Sequence, residues 1–302
     1  MLCFCASLGF AQTYTAHRNI QYANVAGISL QVDIYIPNDQ AAPTPLIIWV
    51  HGGGWQSGTR MLQPNGFQLR QAGRGYAVAS ITYRLSDEAP FPAQINDVKA
   101  AVRWLRANAS TYNLNPNKFA AWGSSAGGHL VSLLGTSSAL GVIEDKTMGN
   151  PTQSSKVQAV VDWYGPTDLL RMDIDNPCPG SNHNSPTSPE SEFVGCPIQI
   201  CRARSRRPNP IRYIDPTIAY PPFLIMHGMA DCNVNMQQSQ LLYNALTAIG
   251  SSAQIKFVEG EGHGGPLFNT AENQALVDAF LDSNLRGVSK VNEKAAGTSN
   301  IF

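Results

Sequence analysis

The chain carries no surplus of either charge. Its 21 lysines and arginines stand against 21 aspartates and glutamates, so the formal net charge is zero. Binding to nucleic acid normally leaves a basic surplus, as does a polybasic membrane anchor, and the composition argues against both. No apolar run reaches the roughly 18 residues that a spanning helix needs. Paired CxxC ligands are missing, so no zinc site is expected, and no other metal or cofactor is called for. Internal repeats are absent, and nothing marks a second domain. What remains is a globular composition, 43% hydrophobic and 14% charged, on a chain of 302 residues. One large α/β domain fills that length.

Basic residues are also missing from the start, where none precedes Arg18. The first residues, "MLCFCASLGFAQTYT", form a short apolar run with Gly9 and Ala11 placed as a signal peptidase requires. Residues 1–11 therefore read as a truncated export signal, with an apolar N-terminal arm as the alternative. Setting Cys3 and Cys5 aside leaves Cys178, Cys196, Cys201 and Cys232, an even set. Three of them fall in a segment poor in core-forming residues, where cross-links help most. Of the three possible connectivities, Cys178–Cys196 with Cys201–Cys232 is preferred, against an alternative of four buried thiols. Disulfides favour a secreted or periplasmic location over a cytoplasmic one.

Strand and helix signals alternate along the chain. Residues 28–37 alternate apolar and polar, as a half-buried strand does. Residues 45–51, "PLIIWVH", are continuously apolar, as in a buried central strand. Further strands are expected at 76–84, 118–124, 157–165, 221–228 and 253–260. Helical spacing marks 92–110, the stretch after Gly127, 236–250 and 271–287. The alternation implies a mostly parallel sheet covered on both faces. The domain is expected over 12–287, with a loose tail at 288–302. Residues 171–220 break the pattern. They are rich in proline, asparagine and serine, and such a long irregular insertion is more often functional than filler; a cap beside the active site is expected. Arg202, Arg204, Arg206, Arg207 and Arg212 cluster there, read as a solvated basic face ahead of a site for an acidic substrate.

The chemistry begins at "WGSSAGGHL". Gly123-Ser124-Ser125-Ala126-Gly127 fits G-x-S-x-G, between a short strand and a helix. A nucleophile on so sharp a turn needs small neighbours. Ser125 is therefore the candidate nucleophile, and Ser124 fills a variable position. A serine hydroxyl needs a base, expected last in the order Ser, Asp, His. Of the six histidines, only His263 in "GEGHGG" follows the last strand. His51, His129 and His227 read as structural. For the acid, Asp231 in "HGMADCNV" competes with Asp168 in "YGPTDL". Asp231 is preferred because its strand neighbours the one leading to His263. Its role would be to hold the histidine tautomer and stabilise the imidazolium. The run "VHGGGW" offers amides for an oxyanion hole: Gly53 and Gly54 with Ala126, although which two of the three glycines donate is not legible. Trp55 either lines the acyl or alcohol pocket or packs beneath the loop.

Taken together, "HGGGW", "YRLSDEAPFPAQINDVKAAVRWLRANA", "WGSSAGGHL", "SPESEFVG", "PPFLIMHGMADCNV" and "GEGHGG" resemble the α/β-hydrolase carboxylesterases related to hormone-sensitive lipase, and most closely the bacterial feruloyl and acetylxylan esterase branch. The resemblance runs from about residue 20 to 285. It implies the α/β-hydrolase fold and a triad of Ser125, Asp231 and His263. The family usually has Val-Pro after the acid motif, whereas here Val234 is followed by Asn235. The expected function is a cofactor-free serine carboxylic ester hydrolase. It would act through an acyl-enzyme on short-acyl, acetyl or hydroxycinnamoyl esters of small molecules or polysaccharides. Alternatives are a serine peptidase or a lipase of the same fold, and a non-enzymatic binding module.

Overall fold

The computed structural model describes residues 14–287. The expected leader with Cys3 and Cys5, and the tail at 288–302, lie outside the described residues. The strands are β1 (Tyr14–Val25), β2 (Ile28–Pro37), β3 (Thr44–Val50), β4 (Ala77–Ile81), β5 (Leu114–Ser124), β6 (Ala159–Trp163), β7 (Phe223–Gly228) and β8 (Ala253–Val258). The helices are α1 (Phe67–Gly73), α2 (Ala93–Ala107), α3 (Ala126–Leu140), α4 (Pro189–Val194), α5 (Arg202–Ser205), α6 (Gln237–Ala248) and α7 (Ala271–Leu285). One sheet runs in the order β1-β2-β4-β3-β5-β6-β7-β8. β1–β2 and β2–β4 are antiparallel, and every pairing from β4–β3 to β7–β8 is parallel.

The central strands are buried along their length, as their continuous apolar runs require. One face packs Ile48, Val50 and Ala121 against Val98 and Val102 of α2, Leu130 and Leu134 of α3 and Leu242 of α6. The other packs Trp49, Trp122 and Trp163 against Phe67 of α1 and Val277, Phe280 and Leu281 of α7. β1 and α1 carry no legible signal in the sequence. β1 is an edge strand, mostly not buried and interrupted by two register shifts, so its polar residues mask any alternation. α1 has only seven residues, too few for a helical period to stand out.

Residues 171–220 are less irregular than expected. Ser188 caps α4 by accepting from Ser191 N, with Pro189 at its first position and left-handed Gly195 at its end. The disulfides differ from the preferred connectivity: the bonds are Cys178–Cys232 and Cys196–Cys201. A turn explains the second, since the Ile200 and Cys201 amides both donate to the Pro197 carbonyl and bring Cys201 back beside Cys196. Cys178 is thereby left to pair across 54 residues with Cys232, on the loop after β7. The five arginines are exposed and pair with no carboxylate among the described residues.

The insertion is also pinned from beneath. His129 of α3 is fully buried, and its Nε2–H donates to the Pro208 carbonyl at 2.8 Å. Burial lowers its pKa to about 4.

Two outcomes are expected. In the chain-entropy treatment, Cys178→Ser with Cys232→Ser costs about 4 kcal/mol, and Cys196→Ser with Cys201→Ser about 2 kcal/mol, because the loop closed is much shorter. Urea unfolding of the two double variants checks the order. His129 is neutral in the folded state at pH values where the unfolded chain already binds the proton. Its contribution is therefore complete above pH 6.5 and declines as pH falls toward 4, by at most about 1.4 kcal/mol per unit. In His129→Gln, unfolding free energy measured across that window is expected to lose this part of the slope.

Candidate active site

β5 ends at Ser124, α3 begins at Ala126, and Ser125 stands between them with φ 53° and ψ −123°. A non-glycine residue enters this left-handed region at a cost and stays only where its surroundings enforce it. Here the enforcement is close packing of backbone. A Cβ on Gly123 would meet the Gly127 carbonyl oxygen at 2.3 Å, and one on Gly127 would meet the Val50 oxygen at 2.1 Å. The Ser125 N–H donates to the Trp163 carbonyl at 2.8 Å, tying the elbow to β6.

His263 and Asp231 arrive from loops at the same edge of the sheet. His263 Nε2 lies 2.8 Å from Ser125 Oγ, and Nδ1 lies 2.7 Å from Asp231 Oδ2. A hydroxyl donating to Nε2 leaves the hydrogen on Nδ1, which donates to the carboxylate. Asp231 Oδ1 accepts from the amides of Asn233 and Val234, each at 2.9 Å. Burial would raise the Asp231 pKa, but hydrogen bonds from His227 and His263 outweigh it and hold the carboxyl well below the usual carboxylate range. It stays ionised and faces the histidine as a fixed negative charge. Asp168 is not part of this group. Its carboxylate accepts from Leu170 N and caps the short 3-10 helix Leu169–Arg171.

His227, His51 and His129, read as structural, sit in the following places. His227 is fully buried between Ser239 Oγ at 2.6 Å and the Val234 carbonyl at 2.6 Å, which braces the loop carrying Asp231. His51 stacks on Tyr83, with ring centroids 4.3 Å apart. Asn235, where the family usually has proline, accepts from Gln237 N at the start of α6.

The glycine run after β3 turns back on itself, with the Gly53 carbonyl accepting from Gln56 and Ser57 amides. Gly54 and Ala126 line the same cleft as Ser125, whereas Gly53 lies one residue behind. The Ala126 amide heads α3 and is one of the donors a helix leaves unpaired. Trp55 meets both readings. It lines the cleft, yet it is buried and stacks on Phe193 of α4 at 4.3 Å, with His129 edge-on. Gln56 reaches Glu192 of α4 at 2.6 Å, so the insertion buttresses this loop.

The cleft holds about 500 Å³. Much of its lining is polar and comes from the insertion: Ser181, Asn182, His183, Ser185, Thr187, Ser188 and Glu190. No motif marks this lining in the sequence, because isolated polar residues in a loop carry no periodicity. His183 is held by Glu190 Oε1 at 2.9 Å, which among other contacts outweighs burial and raises its pKa. Among the described residues, no three His, Cys, Asp or Glu side chains are grouped to hold a metal ion. No described helix is long and apolar enough to cross a membrane.

Comparison with known proteins follows this geometry. The family model described as BD-FAE matches residues 32–246. Esterase LipC of Mycobacterium tuberculosis is 32% identical over 247 residues, covering 79% of this chain and 57% of the relative. The chain spans about half the length of the curated relatives it matches. Among solved structures, a truncated form of a carbohydrate esterase from gut microbiota superposes with a TM-score of 0.81 at 31% identity, covering 92% of this chain and 99% of that one. A thermophilic esterase of Thermogutta terrifontis, Est2, bound to propionate, gives a TM-score of 0.70 at 25% identity, covering 89% and 93%. The architecture is that of the α/β-hydrolase fold.

A fluorophosphonate probe is expected to label Ser125 and not Ser124, with peptide mapping as the readout. Asp231→Asn is expected to slow labelling by on the order of 10⁴-fold through loss of the productive tautomer. Asp168→Asn is expected to leave the labelling rate within about twofold; a larger loss there than at Asp231 would reassign the acid.

Proposed function

The chain belongs to the BD-FAE family, within the α/β-hydrolases related to hormone-sensitive lipase, and on that premise we propose that it is a serine carboxylic ester hydrolase. The observation that carries this reading is the unbroken line Ser125–His263–Asp231, with contacts of 2.8 and 2.7 Å. Ser125 Oγ attacks the ester carbonyl carbon while its proton passes to His263 Nε2. The oxyanion is met by amides of the Gly53–Gly54 turn and of Ala126. Collapse breaks the bond to the alcohol oxygen, which takes the proton from His263. Water then attacks the acyl-enzyme carbonyl, giving its proton to His263; as the acyl–Oγ bond breaks, His263 returns that proton to Ser125 Oγ, releasing the acid and the free serine.

The alcohol side of the substrate is read from the wall of the cleft. Seven polar residues of the insertion line the cleft with Ser125, an environment suited to a hydroxyl-rich alcohol and not to a long acyl chain. The substrate class proposed is therefore an acetyl, other short-acyl or hydroxycinnamoyl ester of a carbohydrate, and the likeness to a gut carbohydrate esterase supports it. The insertion acts as a fixed cap. Its helices have six and four residues, too short for an amphipathic lid, which argues against an interfacially activated lipase. Two disulfides favour an oxidising location, secreted or periplasmic.

An activity panel tests the reading. Acetyl, butyryl and longer p-nitrophenyl esters are compared with methyl ferulate, acetylated xylan and an acetanilide. Turnover is expected to fall with acyl length, and the anilide is expected to be inert. Ser125→Ala is expected to lower kcat by about 10⁶-fold with the fold intact. Full activity in that variant, or preference for the longest acyl chain, would overturn the reading.

A further inference from the structure

Tyr164 follows directly on β6, and its backbone has φ 45°. A bulky aromatic residue enters that region only when held there, and such strain gathers at functional sites. The holding groups are visible. The Tyr164 N–H donates to the Met226 carbonyl of β7 at 2.8 Å, and the preceding Trp163 carbonyl accepts from Ser125 N at 2.8 Å. Residues 163–164 are thus strapped between β7 and the nucleophile elbow. Placed this way, the ring stands edge-on to the His263 imidazole, with centroids 4.9 Å apart and planes at 64°. Phe268 backs it from the other side at 4.9 Å. Gly264, the residue after His263, gives the phenol its room. A Cβ there would stand 2.8 Å from the phenol oxygen.

His263 needs such a neighbour. Its hydrogen bonds to Ser125 and Asp231 lie at opposite ends of the ring and define a line. A ring held at two points can still tilt about the line that joins them. We propose that Tyr164 is a positioning residue for His263: its ring, fixed by the strained backbone and packed against Phe268, blocks the tilt that would take Nε2 out of line with Ser125. The inference rests on the ester hydrolase reading above. Its failure is separable, because it is measured as differences among variants of an active parent.

The test is the steady-state kinetics of p-nitrophenyl acetate hydrolysis by the parent, Tyr164→Ala and Tyr164→Phe. Misplacing a reacting group by about 1 Å can cost on the order of 100-fold. Tyr164→Ala is therefore expected to lower kcat by about tenfold or more, with KM within about threefold. Tyr164→Phe keeps the ring and is expected to recover kcat to within about threefold of the parent. If Tyr164→Ala does not fold by circular dichroism, Tyr164→Leu serves in its place, since it fills the space without an aromatic edge. The rate of fluorophosphonate labelling at Ser125 gives the same comparison without turnover. The proposal is overturned if removal of the ring leaves kcat within twofold, if Tyr164→Phe is as impaired as Tyr164→Ala, or if the loss lies in KM alone.

Discussion

The site depends on one backbone conformation, the left-handed turn at Ser125. Everything around it is arranged so that this turn is the least strained way to pass from β5 to α3. Gly123 and Gly127 let three backbone segments come within contact of one another, and the buried strands beneath give them nowhere else to go. The cost of the turn is met by the packing of the sheet, and the return is a hydroxyl presented clear of its own main chain. From there the chemistry needs only that two other loops end near the same point. The parallel sheet provides this, since β5, β6, β7 and β8 all release their chains at one edge.

The charge distribution around the histidine follows from the same edge. Asp231 gathers two backbone amides on one oxygen and the imidazole on the other. It is therefore ionised and immobile before any substrate arrives. On the proposed mechanism this is preorganisation in the electrostatic sense: the group that would stabilise a developing imidazolium would not have to reorient when the charge appears. His227 extends the arrangement inward by bracing the acid loop against α6 through Ser239.

Legibility in the sequence tracked burial and motif chemistry. β2 to β8 were readable because their residues are buried in continuous or alternating runs, whereas β1 was not, being an edge strand with polar residues on both faces. Ser125, His263 and Asp231 stood out because glycine-rich turns after strands are rare and ordered. Asp168 competed with Asp231 in the sequence and ranked behind it on strand adjacency; in the structure its carboxylate caps a short 3-10 helix instead. The polar wall and the disulfide connectivity were out of reach, because each depends on where an irregular segment returns in space, and nothing in the periodicity of residues 171–220 encodes that return. Tyr164 was hidden for another reason: its place beside His263 depends on a positive φ just past β6, which no pattern of residue types marks.

Besides the His129–Pro208 contact beneath it, the insertion is fastened beside the site at two places: Cys178 bonds covalently to the residue after Asp231, and α4 holds the residues after the glycine turn through Glu192 and Phe193. Between those anchors, residues 179–188 supply much of the cleft's polar lining, while Ser188 and His183 are themselves tied to α4 through Ser191 and Glu190. On the proposed reading, the cleft-facing side chains that carry no such tie could change without touching Ser125, His263 or Asp231, and new leaving groups would become accessible through substitutions at that one surface.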